Sequence, residues 1–220
     1  MPDDGSESRV QVRPAGRLEA FADGVFAIAM TLLALEIPLP DLDEGESLLE
    51  GLLAQWPAYL AYAISFFTLG AVWLSHYAVT HLLRGVDEVF LRLNLLLLFF
   101  VALLPFPTLL IAEFLTDLGR ERVAVTVYTL TFMAISVVLR ILWGHAAIGR
   151  LLLRDDVTAE QIKARNARLT PLLGLYGVAV PVGLAFPHAA VAMLVLAILY
   201  QALPHRAILR VVRADRPQRD

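Results

Sequence analysis

From Leu52 to Tyr77 the chain reads LLAQWPAYLAYAISFFTLGAVWLSHY without one Asp, Glu, Lys or Arg. A second run, LNLLLLFFVALLPFPTLLIA, fills 93–112 in the same way. Stretches of about 20 apolar residues match the hydrocarbon thickness of a bilayer and read as transmembrane helices. Composition agrees. Over 220 residues the chain is 58% hydrophobic and 18% charged, where soluble domains are about half apolar and about a quarter charged. The expectation is an all-α, multi-pass membrane protein.

Six spans are predicted, at 18–38, 50–76, 88–112, 122–146, 169–186 and 188–204. Pro105 and Pro107 remove backbone donors and should bend or end the third helix. Between the fifth and sixth spans stands only Phe186-Pro187-His188, a tight turn. The connection from Leu151 to Arg168 could form a short amphipathic helix capped by Thr158, without an ideal capping box. The expected organisation is a polar tail at 1–16, a six-helix membrane domain at 17–205 and a basic tail at 206–220. The first tail has no apolar core and is not a signal peptide. The chain has no Cys, which excludes disulfides, thiol catalysis and cysteine-held metals.

Loop charge sets the expected orientation. Arg9, Arg13 and Arg17 precede the first span, and Arg84 and Arg92 flank the second connection. Arg150, Arg154, Lys163, Arg165 and Arg168 occupy the fourth connection, and Arg206, Arg210, Arg213, Arg216 and Arg219 the C-terminus. The first connection, DLDEGESLLE, has no Lys or Arg, and the third sets Arg120 and Arg122 beside Glu113, Asp117 and Glu121. By the positive-inside rule both termini are cytoplasmic, which agrees with an even number of spans, since that puts both ends on one side.

The first span carries the most information. At 100° per residue, Phe21, Gly24, Ile28, Leu32 and Leu35 fall on one narrow stripe with Thr31 at its edge. Asp23, Ala27, Met30 and Ala34 fall roughly opposite, a mostly small face suited to close helix packing. On its own the stripe reads first as an ordinary lipid- or core-facing surface. Asp23 reads equally as a carboxylate favoured by a helix N-terminus near the headgroups.

RLEAFADGVFAIAMTLLALEIP, from Arg17 to Pro38, closely resembles the first-helix signature of the transmembrane protein 175 family. That signature is an arginine, three residues, then Phe-Ser-Asp and an aliphatic helix. Arg17, Phe21 and Asp23 match it, and Ala22 replaces the usual serine. The resemblance implies a potassium-permeable channel, a homotetramer whose first helices line a central pore, with lysosomal animal relatives that also conduct protons. It puts Ile28 at a hydrophobic constriction, with Leu32 and Leu35 along the same pore stripe, and Thr31 where a hydroxyl influences cation selectivity. Arg17, Phe21 and Asp23 would join a polar network, with Trp73, His76 and Asn94 as candidate partners. Arg17 and Asp23 lie about 120° apart on the wheel, so each needs partners from other helices.

No Thr-Val-Gly-Tyr-Gly filter is present, so selectivity would come from a narrow apolar neck crossed by partly dehydrated ions. The expected partners are potassium ions, the lipid of the cell membrane and further copies of the chain, with no cofactor, nucleic acid or metal beyond potassium in transit. His76, His81, His145, His188 and His205 do not have metal-ligand spacing. The acidic first connection either concentrates cations at the outer mouth or is simply solvated. The alternative functions are a proton-coupled secondary transporter or a proton-leak pathway. Transporters of that kind carry midplane charges in broken helices, which these spans lack. An enzyme would need clustered acid–base or nucleophilic groups at membrane depth, and the sequence shows none.

Overall fold

The computed structural model describes residues 13–42 and 45–202, and the tails at 1–12 and 206–220 lie outside them. Among the described residues the regular elements are helices: α1 (Gly16–Leu35), α2 (Leu48–Ala54), α3 (Trp56–Thr80), α4 (Glu88–Leu103), α5 (Pro105–Phe114), α6 (Glu121–Ala147), α7 (Ala159–Ala185) and α8 (Pro187–Ala202). Five segments are long and apolar enough to cross a bilayer: α1, α3, α4 with α5, α6 with the turn after it, and α7. The sixth apolar helix, α8, is shorter. The chain is a multi-pass membrane protein.

The second span differs from its expected bounds. A separate short helix, α2, precedes it because Ser47 caps that helix at 47–50. The Ser47 hydroxyl accepts from Glu50 N at 3.3 Å, and the Glu50 carboxylate accepts from Ser47 N at 2.9 Å. Pro57 then sits in the first turn of α3, where its missing N–H would have no partner anyway. The prolines of the third span act as expected. Helix α4 ends at Leu103 and α5 starts on Pro105. The Val101 carbonyl, which Pro105 cannot serve, accepts from Leu104 N at 3.2 Å.

The fifth span also starts earlier than its expected 169. Thr158 caps α7, and Gln161 completes the box that the sequence reading left out: Thr158 N donates to Gln161 Oε1 at 2.8 Å. From Ala159 the helix runs unbroken into the span, through Pro171 and Pro181. Phe186 ends it, and α8 starts at Pro187.

Helix α6 is the centre of the bundle. It packs on α4, α5, α7 and α8 and carries fully buried Tyr128, Phe132 and Trp143. In lipid, apolar side chains gain little by meeting each other instead of acyl chains, so close packing and interhelical hydrogen bonds hold such a bundle. Two ties fill that role. Ser65 of α3 lies 2.7 Å from both Thr108 of α5 and Tyr128 of α6, all buried. Trp143 Nε1 donates to Asn166 Oδ1 across α6 and α7 at 2.9 Å.

At one end of the bundle, backbone bridges collect three connections. Arg13 and Val86 exchange two 2.8 Å hydrogen bonds. Arg84 N donates to Leu152 O at 2.9 Å, and Arg154 N to Leu82 O at 3.0 Å. The same end holds His145 of α6, whose Nε2 meets the Asp87 carboxylate at 2.9 and 3.0 Å. Asp87 also caps α4 through Phe90 N.

Candidate functional site

Helix α1 lies at the edge of the bundle, against α3, α4 and, more lightly, α5. Its packed face is Leu18, Ala22, Phe26, Ala29 and Leu33, a run at i, i+4 and i+3 spacing that gives one helical stripe. The aliphatic stripe read from the sequence lies elsewhere. Ile28 is 61% exposed and Leu35 77%, and Phe21, Gly24, Thr31 and Leu32 are exposed with them. Within one chain the stripe therefore faces outward and is not part of the core. Thr31 Oγ1 donates to Ile28 O at 2.8 Å, which anchors the hydroxyl on the helix and leaves its oxygen lone pairs outward.

The small face expected to pack does so only in part. Ala27 and Ala34 are exposed and Met30 half-buried; the alanines in close contact are Ala22 and Ala29. Ala22 is wholly buried, so the residue standing where the family signature has serine adds no buried polar group.

The polar residues gather in two pairs. Asp23 Oδ1 accepts from Trp73 Nε1 of α3 at 2.8 Å, at the exposed side of α1. His76 Nε2 and Asn94 Oδ1 meet at 2.7 Å in the interior, joining α3 to α4. An amide oxygen can only accept, so His76 Nε2 carries the proton in this arrangement. The Phe26 ring lies 5.7 Å from the His76 ring, so the second pair is covered by the packed face of α1. Arg17 joins neither pair. It is exposed and lines a groove with Phe21, Arg13 and Leu95, with no hydrogen bond or ion pair from the described residues.

The sequence reading missed the Ser65–Thr108–Tyr128 cluster and the Asp87–His145 pair. Isolated hydroxyls in apolar runs were the available signal for the first. For the second it was an Asp directly before a helix start.

All the residues singled out, from Arg17 to Asn94, lie inside the segment 17–105 that matches the family described as endosomal/lysosomal potassium channel TMEM175. A protein named as a potassium channel of Streptomyces collinus is 42% identical over 176 residues, spanning 80% of this chain and 84% of that one.

The chain belongs to the TMEM175 family.

A second TMEM175 relative, named as a potassium channel of Chamaesiphon minutus, is 43% identical over 168 residues, 74% of this chain and 81% of that one. The crystal structure of a lysosomal potassium-selective channel TMEM175 homolog from Chamaesiphon minutus superposes with a TM-score of 0.76 at 36% identity. It covers 92% of this chain and 98% of the other. The chicken protein named endosomal/lysosomal proton channel TMEM175 is 40% identical over 127 residues, 54% of this chain and 25% of that one.

Proposed function

We propose that this chain is the subunit of a potassium-permeable channel in the cell membrane, with four copies surrounding an axis lined by α1. The observation that carries the reading is the outward face of α1. Ile28, Leu32 and Leu35 repeat along it, Thr31 sits between them, and the helix's other side is packed on its own subunit. The names of the Streptomyces and Chamaesiphon relatives support potassium as the ion.

In such an assembly Ile28 side chains meet at the axis and form an apolar neck. A narrow apolar ring holds water poorly and strips an ion of hydration without replacing it, so the neck is both gate and barrier. Leu32 and Leu35 extend it outward. Thr31 offers oxygen to an ion that has shed water, which favours the more cheaply dehydrated potassium. Asp23 with Trp73 ties α1 to α3, and His76 with Asn94 ties α3 to α4 behind the packed face of α1, so together they hold the helix that sets the width of the neck. Phe21 stands at the inner end of the stripe, where it turns to the groove that Arg17 lines. The acidic first connection raises cation concentration at the outer mouth.

Potassium flux into liposomes at equal protein tests the assignment. Ile28→Asn keeps the neck wet and Ile28→Ala widens it, so both raise resting flux and weaken discrimination among cations. If the stripe faced lipid, Asn would destabilise the protein, Ala would be nearly silent and neither would add flux. No gain in either folded variant sinks the pore assignment.

A second reading is proton permeation, favoured by the names of the animal relatives. A proton gradient imposed across the same liposomes, read with a pH dye and potassium absent, separates the two.

A further inference from the structure

Beside α1, at the bridged end of the bundle, runs an open groove of about 650 Å³. Leu18 and Phe21 form one wall and Leu91 and Leu95 the other; Arg13 and Arg17 stand at its mouth. We propose that this groove seats an anionic phospholipid, its phosphate between Arg13 and Arg17 and an acyl chain along the apolar walls.

The arginines are the first reason. At this end of the molecule Arg84 Nε donates to Leu151 O at 2.9 Å, and Arg92 pairs with Glu88 at 2.5 Å. Arg154 pairs with Asp156 at 2.6 Å, and Arg165 and Arg168 donate to the carbonyls of Ala78 and Gln201. Arg13 and Arg17 are the arginines that line this groove, and neither guanidinium has a hydrogen bond or ion pair from the described residues. They are one helical turn apart in sequence, and the base of Arg13 is pinned to Val86 by its two backbone bonds. Two guanidiniums held this way suit a phosphate, whose oxygens accept paired N–H donors.

The walls are the second reason. A site for a free anion has no use for four apolar side chains, two of them, Phe21 and Leu95, more than half exposed. An acyl chain does. Basic pockets between transmembrane helices are a recurring way to hold acidic headgroups. A second copy of the chain could offer Asp155 or Glu160 from this end, since Asp87, Glu88 and Asp156 are already paired, and exposed carboxylates give the apolar walls nothing to bind.

The proposal rests on the membrane reading of the helices and not on ion conduction, so its failure and the failure of the channel assignment are read in different assays. Delipidated full-length protein is titrated with phosphatidylglycerol, phosphatidylcholine or inorganic phosphate, and bound species are counted by native mass spectrometry. Phosphatidylglycerol is expected to be retained in preference to phosphatidylcholine, and phosphate alone not at all. Arg13→Ala should weaken the phosphatidylglycerol complex roughly ten-fold, the worth of a charge-assisted hydrogen bond. Leu95→Trp should weaken it too, by filling the groove with both charges intact. Equal retention of the two lipids, phosphate binding as tight as the lipid's, or no effect of either variant overturns the proposal. Loss of the assembled species in Leu95→Trp with lipid retention unchanged also overturns it, and assigns the groove to a second copy.

Discussion

Asp23 is a carboxylate at the exposed side of a membrane helix, and its bond to Trp73 is the polar link from α1 to α3. The rest of the α1 contact is apolar, and lipid competes with apolar contacts on nearly equal terms. The link should therefore matter for assembly more than for ion preference. Asp23→Ala and Trp73→Phe are each expected to cost about 1.5–3 kcal/mol, as for loss of a hydrogen bond to a charged group, toward the lower end because Asp23 is exposed. Asp23→Asn costs less, because the amide oxygen still accepts. The double variant Asp23→Ala with Trp73→Phe should be hardly worse than either alone. Thermal unfolding in detergent reads the stabilities and reversal potentials the selectivity; a stable Asp23→Ala protein with altered selectivity contradicts this role. The residues meeting here could be named from the sequence because the signature around Arg17 points to them. Which face of α1 packs could not be named. A wheel gives angles between residues, and Ala27 and Ala34 look as suitable as Ala22 and Ala29 until the positions of α3 and α4 are known.

At the level of elements, long charge-free runs, prolines and the Thr158 cap were legible, and the Ser47 cap and the Gln161 half of the Thr158 box were not. The helices expected at 88–112 and 122–146 are present close to those bounds, and Pro105 marks the break between α4 and α5. Helices α2 and α7 departed from expectation because Ser47 with Glu50, and Thr158 with Gln161, define starts by side-chain bonds that hydropathy does not register. The broken third span is held by the Ser65 cluster, and its energetics are asymmetric. Ser65→Ala leaves the Tyr128 hydroxyl buried with no partner, while Thr108 keeps its 2.9 Å bond to Leu104 O. Tyr128→Phe leaves Ser65 still paired with Thr108. An unpaired buried group costs about 1–3 kcal/mol, against about 0.6 kcal/mol for an average interhelical bond in a membrane protein. Ser65→Ala should thus lower the melting temperature more than Tyr128→Phe, and adding Tyr128→Phe to Ser65→Ala should restore part of the loss. Equal and additive effects would show that the three hydroxyls do not act as one unit.

For the whole molecule, the sequence separates basic from acidic connections, and the fold turns that separation into two different ends. The segments around Arg13, Arg84 and Arg154 are far apart in the chain, yet the bridges Arg13–Val86 and Leu83–Leu153 bring them to one end. The acidic stretch 36–50 connects the far end of α1 to the start of α3, with Glu36 at the end of α1 and Glu50 in α2. Basic loops stay on the cytoplasmic side during insertion, so the bridged end should face the cytoplasm and carry the N-terminus. Helix α7 leaves that end through its basic first turns, Lys163 to Arg168, and α8 returns toward it, since Arg168 donates to Gln201 O at 3.0 Å near the end of α8. Helix α8 therefore ends on the bridged side, where α1 starts, and a C-terminus on the cytoplasmic side is the expected outcome. A protease-sensitive tag after Asp220 should resist digestion on intact cells and be cut once the membrane is opened. Cleavage from outside intact cells would invert the orientation, and would put the acidic connection at the cytoplasmic mouth of the pore instead of the outer one.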